Sequence, residues 1–241
     1  MPRFYCNTDL APGLTIALPE AVAHHILVLR LQSGAELTLF NGDGAEYRAH
    51  LSSVEKRRAS ATVTVSVVRD VELPFEITLV QALPESSKMD WIIEKAVELG
   101  AAGIQPLSAQ RCVVRLSGER LEKKQAHWHS VIVAASEQSG RNRLARLAPL
   151  DDFHQWITHQ DLHKRVLLSP RGTQSLAAWA RHQPPQALAL MVGPEGGFTA
   201  QEEDAAIARG ALCLSMGPRI LRTETAGLAA LATLHSQWSA G

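Results

Sequence analysis

The stretch that decides the fold runs from Met191 to Ala226. It opens Met191-Val192-Gly193-Pro194-Glu195-Gly196-Gly197-Phe198 and closes Met216-Gly217-Pro218-Arg219-Ile220-Leu221-Arg222-Thr223-Glu224-Thr225-Ala226. Each half is a short apolar run, a loop rich in Gly or Pro, and then a helix-opening signal. Thr199-x-x-Glu202 reads as a capping box, and Thr223 is placed to cap the next helix. Two strand-to-helix turns this close together predict a crevice at the carboxyl ends of a parallel sheet, where ligands of such folds bind.

Working outward, the chain before this stretch alternates in the same way from Phe75 onward. Ile77-Thr78-Leu79-Val80 reads as strand, residues 88 to 99 as helix, and Ile104 to Leu107 as strand. In that helix Met89, Ile92, Ile93, Ala96 and Val97 recur at three and four residues, Ser87-x-x-Asp90 is a capping box, and Gly100 is placed to end it. A longer helix follows over 119 to 139, then a strand at Val166 to Ser169, a short helix over 175 to 181, and strands at 187 to 192 and 211 to 216. A last helix runs to Trp238. Strands alternating with helices predict an α/β domain with a largely parallel sheet, over residues 73 to 241. Residues 1 to 72 read differently. Leu14 to Leu18, Ala35 to Phe40, Ala45 to Leu51 and Thr62 to Val68 are strand-like, Asn41-Gly42-Asp43-Gly44 is a hairpin turn, and one helix spans 20 to 31. That pattern predicts a small barrel-like β domain.

Composition narrows the function classes. Of 241 residues 46% are hydrophobic and 20% charged, which suits a protein with a real core, and Lys plus Arg equal Asp plus Glu at 24 each. No global field argues for nucleic acid. Residues 101 to 150, however, carry eight basic against three acidic side chains, which fits either an RNA-facing surface or solvated helix charge. Lys56-Arg57-Arg58 reads as a soluble hairpin tip or a phosphate contact. Three scattered cysteines make neither a disulfide framework nor a zinc site, and His24 with His25 lacks partners at helical spacing, so no metal is expected. No apolar run approaches membrane-spanning length and the stretch Met1-Pro2-Arg3-Phe4-Tyr5 has no apolar signal core, so no membrane partner is expected and a cytoplasmic location is.

The usual nucleotide fingerprints are missing: there is no P-loop, no Gly-x-Gly-x-x-Gly after the first strand, and no Gly-x-Ser-x-Gly elbow. What remains is Gly193-Pro194-Glu195-Gly196-Gly197, whose glycines let a backbone approach a flat ligand. Together with Met216 to Ala226 it is specific. These residues, with Lys95 to Gly100, Glu137-Gln138-Ser139-Gly140-Arg141, Leu29-Arg30-Leu31 and Asn41 to Gly44, make the chain similar to the SPOUT class of methyltransferases, whose members carry a deep trefoil knot and bind S-adenosylmethionine in it. Within the class it resembles the bacterial enzymes that methylate N3 of a uridine in 16S ribosomal RNA. The likeness spans essentially the whole chain. Met216, where Leu is common, and Leu144-Ala145 are small departures.

The resemblance implies a knotted parallel-sheet methyltransferase domain behind a PUA-like β-barrel domain. It places the cofactor on Leu168 and Ser169, on Gly193, Pro194, Glu195, Gly196 and Gly197, and on Met216, Gly217, Ile220, Leu221, Arg222, Thr225 and Ala226. We expect Arg222 to stabilise charge on the uracil oxygens, with Glu195 and Glu224 as carboxylates for proton removal or, equally, for holding cofactor or backbone. Arg30, Lys95, Arg111, Arg115, Glu137, Gln138 and Arg141 are the expected RNA-facing residues, and surface ion pairs are the plainer reading of several of them. The implied partners are 16S ribosomal RNA, free or in the small subunit, and a second copy of the chain. Two alternatives stay open: a SPOUT enzyme acting on another RNA, and a non-catalytic RNA-binding protein of ribosome assembly.

Overall fold

Alternating apolar residues build the first strands, and a computed structural model describes residues 1–85, 88–159 and 163–239. The chain divides into two units, one of residues Met1–Glu72 with Ser136–Leu144 and one of Leu73–Ala135 with Ala145–Gly241. Residues 136 to 144 thus group with the N-terminal segment.

In the first unit β1 (Arg3–Tyr5), β2 (Thr15–Ala17), α1 (Glu20–Val28), β3 (Glu36–Phe40), β4 (Ala45–Val54) and β5 (Ala59–Val68) follow in order. The five strands form one sheet in the order β1-β3-β4-β5-β2, antiparallel except for β1 beside β3. Sequence reading misses β1, which has only three residues. Period-two alternation sends Leu37, Leu39, Leu51, Ala61 and Val63 inward, where Ile26 of α1 meets them. The hairpin falls where Asn41 to Gly44 predicts it. Gly42 and Gly44 take φ of +97° and +102°, and Asp43 accepts bonds from Ala45 N at 2.7 Å and Tyr47 Oη at 2.6 Å. Lys56, Arg57 and Arg58 form an exposed tip between β4 and β5. Burial, reinforced by nearby Glu137, pushes the Cys6 thiol up to about 12, so it behaves as a small core residue.

The second unit carries β6 (Ile77–Ala82), α2 (Lys88–Glu98), β7 (Gly103–Ser108), α3 (Gly118–Ser139), β8 (Arg146–Leu147), β9 (Asp151–Asp152) and α4 (Phe153–Trp156). It continues with β10 (Lys164–Leu168), β11 (Gln174–Ser175), α5 (Leu176–Ala180), β12 (Leu188–Val192), α6 (Ala200–Ala208), β13 (Leu212–Ser215) and α7 (Thr223–Trp238). The last four residues of α3 fall in the first unit. The sheet is parallel throughout, in the order β11-β13-β10-β12-β6-β7-β8, with β9 also on β7. The expected periodic residues of α2 are its buried ones, and Gly100 at φ +86° ends it. Ser87, half of the expected capping box, lies outside the described residues; the Asp90 carboxylate meets His127 Nε2 at 2.9 Å and Trp128 Nε1 at 3.1 Å on α3. Helix α7 packs its apolar face inward: Gly227 sits against Leu79 and Val192, and Trp238 Nε1 donates to Ala180 O at 3.0 Å.

One topological feature breaks the ordinary rules. Strand β13 lies between β10 and β11, which are joined by the short loop 169–173. That loop crosses over β13 so closely that a Cβ on Gly172 would stand 2.5 Å from Leu214 C and 2.6 Å from Ser215 N. Connections that cross in this way are very rare. The chain leaving β13 therefore passes beneath the loop, the threading on which a trefoil knot depends.

Candidate functional site

Parallel strands β10, β12 and β13 end side by side, and the loops that follow them enclose a cleft of about 470 Å³. Leu168 and Ser169 line it from the first loop, Gly193, Pro194, Glu195, Gly196 and Gly197 from the second, and Met216, Gly217, Ile220, Leu221 and Ala226 from the third. These are twelve of the fourteen residues expected at the cofactor. The other two, Arg222 and Thr225, are exposed and do not line it.

The second loop is held at every corner. Gly193 folds so tightly that a Cβ there would lie 2.7 Å from Phe198 N, and Gly197, at φ +68°, donates its N–H to Pro194 O at 2.8 Å. The expected capping box is present: Thr199 Oγ1 accepts from Glu202 N at 3.2 Å and Glu202 Oε2 accepts from Thr199 N at 2.8 Å. The other carboxylate oxygen of Glu202, Oε1, takes the N–H of Gln110 at 2.8 Å.

Thr223 departs from expectation. The N-cap of α7 is Arg222, with no side-chain cap bond, and Thr223 is the buried first residue of the helix. Its hydroxyl donates to Gly193 O at 2.6 Å and accepts from Gln81 Nε2 at 2.9 Å. A buried threonine facing a loop carbonyl gains more from that bond than from capping its own helix. Gln81, a polar residue inside the apolar run of β6, was the sequence signal for this network.

The carboxylates are arranged around Lys88. Its Nζ stands 2.7 Å from Glu195 Oε1 and 3.7 Å from Glu224 Oε2. Burial alone would raise the Glu195 carboxyl; the Lys88 ammonium and the N–H groups of Glu195 and Glu85 outweigh it and hold the group below the usual carboxylate range. Reciprocally, Glu195 raises the Lys88 ammonium. Glu195 lines the cleft while Glu224 does not, and Glu224 Oε2 is a buried oxygen with no hydrogen-bond donor.

The cations of the cleft differ in how they are fixed. Arg171, in the loop that crosses β13, donates to Glu203 Oε2 at 3.0 Å and Asp204 Oδ1 at 2.9 Å on α6. Arg219 lines the cleft and is exposed. Arg111, expected at RNA, lines the cleft instead and donates from Nη1 to Gly196 O at 2.6 Å and Phe198 O at 3.4 Å. Arg171 and Glu203 were not expected at the cleft, because nothing local marks a residue whose partner lies on another loop.

The remaining expected RNA residues are dispersed. Arg141 is buried, and its guanidinium forks onto the Glu72 carboxylate, with Nε at 3.0 Å from Oε1. That places it in a buried ion pair, where the plainer reading expected one on the surface. Glu137 accepts from Tyr5 N at 2.9 Å, and burial raises its carboxyl above the usual range. Lys95 pairs with Glu94 and Glu98, each at 2.7 Å, on a solvated helix face. Arg115 ties down the end of β7 through Ser108 Oγ, Ala109 O and Gln110 O. Gln138 is exposed, and so is Arg30, which holds a φ of +55° directly after α1. Among the described residues no group of three metal-ligating side chains occurs, and no described helix is long and apolar enough to cross a membrane.

Known proteins share this architecture. Residues 71–235 match the RNA methyltransferase domain family and residues 18–64 the RNA methyltransferase PUA domain family. The chain is 34% identical over 234 residues to ribosomal RNA small subunit methyltransferase E of Bacillus subtilis, covering 94% of this chain and 91% of that one. A crystal structure of ribosomal RNA small subunit methyltransferase E from Neisseria gonorrhoeae, bound to S-adenosyl methionine, superposes with a TM-score of 0.92 at 37% identity, over 99% of this chain and 98% of that one. A Legionella pneumophila methyltransferase in complex with the same cofactor does so with a TM-score of 0.92 at 35% identity, over 97% and 96%.

Proposed function

The chain belongs to the family of RNA methyltransferases that includes ribosomal RNA small subunit methyltransferase E, and from that premise we propose that it methylates N3 of one uridine in 16S ribosomal RNA, using S-adenosylmethionine. The observation that carries this reading is the cleft under the threaded loop, built from the three glycine-containing strand ends. Its residues fit the cofactor. The volume lies within the range of about 300–1,000 Å³ usual for small-molecule sites. Leu168, Val192, Phe198, Met216, Ile220 and Leu221 give it apolar walls. Among the described residues the N–H groups of Gly196 and Phe198 have no acceptor, and Glu195 and Glu203 place fixed negative charge beside a cationic ligand.

When bound, S-adenosylmethionine supplies a methyl group already activated on its sulfonium. The protein's part is then orientation and proton removal, since a uracil N3 is a poor nucleophile until its imide proton leaves. Glu195, held ionised by Lys88, is a weak proton acceptor and serves to anchor its loop. Glu224 lies outside the cleft lining but keeps a carboxylate oxygen without a hydrogen-bond donor, and it is the second candidate to accept the proton. Arg222 is exposed, and among the described residues its guanidinium has no partner, which leaves it free to meet charge on the uracil oxygens.

The PUA-like unit holds the RNA, with Arg30 as a contact, together with the basic residues of 101 to 150 other than Arg111, Arg115 and Arg141. The active form is a homodimer in the cytoplasm; Ile220, 86% exposed at the cleft, and Val113, 73% exposed, are apolar groups that a second copy would cover. Mass spectrometry of 16S ribosomal RNA from cells with and without the gene tests the reaction: one N3-methyluridine disappears in its absence, and an unchanged spectrum would sink the reading. Sedimentation at micromolar concentration tests the dimer.

A further inference from the structure

The geometry points to Arg111 as a positioning residue of the cofactor loop, not a contact to RNA. This rests on the reading of the cleft as the S-adenosylmethionine site. Arg111 follows β7, and its guanidinium reaches across to the loop after β12. There Nη1 donates to Gly196 O at 2.6 Å and to Phe198 O at 3.4 Å. Its aliphatic stem lies so close that a Cβ on Gly196 would stand 3.2 Å from Arg111 Cδ. A side chain at position 196 would have to push that stem back by a few tenths of an ångström.

The consequence is directional. Each peptide of the loop presents a carbonyl on one side and an N–H on the other, and four of the carbonyls are already taken. Thr223 holds that of Gly193, Gly197 N–H holds that of Pro194, and Arg111 holds those of Gly196 and Phe198. Among the described residues the N–H groups of Gly196 and Phe198 carry no bond and are open to a ligand. Thr223, Lys88 and the capping box fix the loop elsewhere, but among the described residues no other side chain holds the Gly196 carbonyl. Without Arg111 that peptide is free to turn, and the cleft loses a donor at a fixed position. A solvated cation selected only for phosphate would gain nothing from spending Nη1 on two backbone carbonyls.

The test measures the two ligands separately on the full-length protein. Calorimetry with S-adenosylmethionine reads the cofactor, and filter binding of transcribed 16S ribosomal RNA over a range of salt reads the RNA. Arg111→Ala is expected to weaken cofactor binding at least tenfold, with RNA affinity and its salt slope unchanged. Millimolar guanidinium should restore part of the loss, which a merely misfolded variant would not show. Arg111→Lys, which keeps one charged nitrogen donor on a shorter side chain, should fall between the two and guards against an unfolded alanine variant. Unchanged cofactor affinity in both variants overturns the assignment. So does a lowered RNA affinity with a shallower salt slope, since losing a phosphate contact has that signature. A wild-type protein that binds no S-adenosylmethionine would instead fail the underlying reading of the cleft.

Discussion

Thr223→Val isolates the bond that ties the cofactor loop to the sheet. The hydroxyl of Thr223 donates to Gly193 O at 2.6 Å and accepts from Gln81 Nε2 at 2.9 Å, within a residue only 5% exposed. Valine has nearly the same shape, so no cavity opens and the change is confined to hydrogen bonding. Gln81 keeps its bond to Ala82 O at 2.8 Å, whereas Gly193 O loses its donor. Leaving one buried group unsatisfied costs about 1–3 kcal/mol. For a unit of this size that lowers the melting temperature by about 2–4 °C per kcal/mol. Taking the middle of that range, about 2 kcal/mol, we expect a fall of about 4–8 °C in the unit holding Leu73–Ala135 and Ala145–Gly241. Cofactor affinity should fall about tenfold, which corresponds to about 1.4 kcal/mol. Thr223→Ser keeps the hydroxyl and should bind nearly as the wild type does. Calorimetric melting and cofactor titration read both quantities. A valine variant that melts with the wild type and binds equally well would refute the network as an anchor.

Further outcomes follow from the same geometry. Gly172→Ala should abolish folding of the second unit or cost more than about 4 kcal/mol, because its Cβ would meet backbone of Leu214 and Ser215 that cannot yield; soluble expression and circular dichroism check this. Cofactor binding should hold from neutral pH down through the usual carboxylate range. Glu195 sits below that range, so its ion pair with Lys88 is fully present above it and is lost only as pH falls through the depressed value; in Lys88→Met the loss should begin at higher pH, as titration of affinity against pH would show. Arg141→Met should destabilise the first unit by about 3 kcal/mol in urea, and adding Glu72→Met should recover most of it, because the cost is an orphaned carboxylate.

Legibility in the sequence followed the range of the interaction. Helix α2, the Asn41 to Gly44 hairpin and the Thr199 capping box rest on residues within a few positions of each other, and all three stand where local pattern places them. The two-residue strands β8, β9 and β11 carry no period and could not be read. Threading is the extreme case. Gly172 has no unusual φ and sits in an ordinary-looking loop; only the presence of Leu214 beneath it explains the glycine. Topological rules argue against such a crossing, so it was the likeness to a known class, not periodicity, that led to it.

The site divides along the same line. Residues that touch a ligand through backbone were readable, because glycine and proline announce unusual backbone wherever they stand, and the glycine loops do line the cleft. Charged residues were not, because charge says what a side chain can pair with and not where its partner lies. Arg141 and Arg111 look alike in the sequence, yet one is buried against Glu72 and the other reaches Gly196 from the end of β7, beyond β6. Glu195 and Glu224 likewise look equivalent until Lys88 is placed between them, nearer to the first by 1.0 Å, the difference between 3.7 and 2.7 Å. That asymmetry is what separates an anchored carboxylate from one with an oxygen to spare. Glu224→Gln should therefore reduce methyl transfer while sparing cofactor affinity, whereas Glu195→Gln should weaken the cofactor first. The reverse pattern in a single-turnover assay would exchange the two roles.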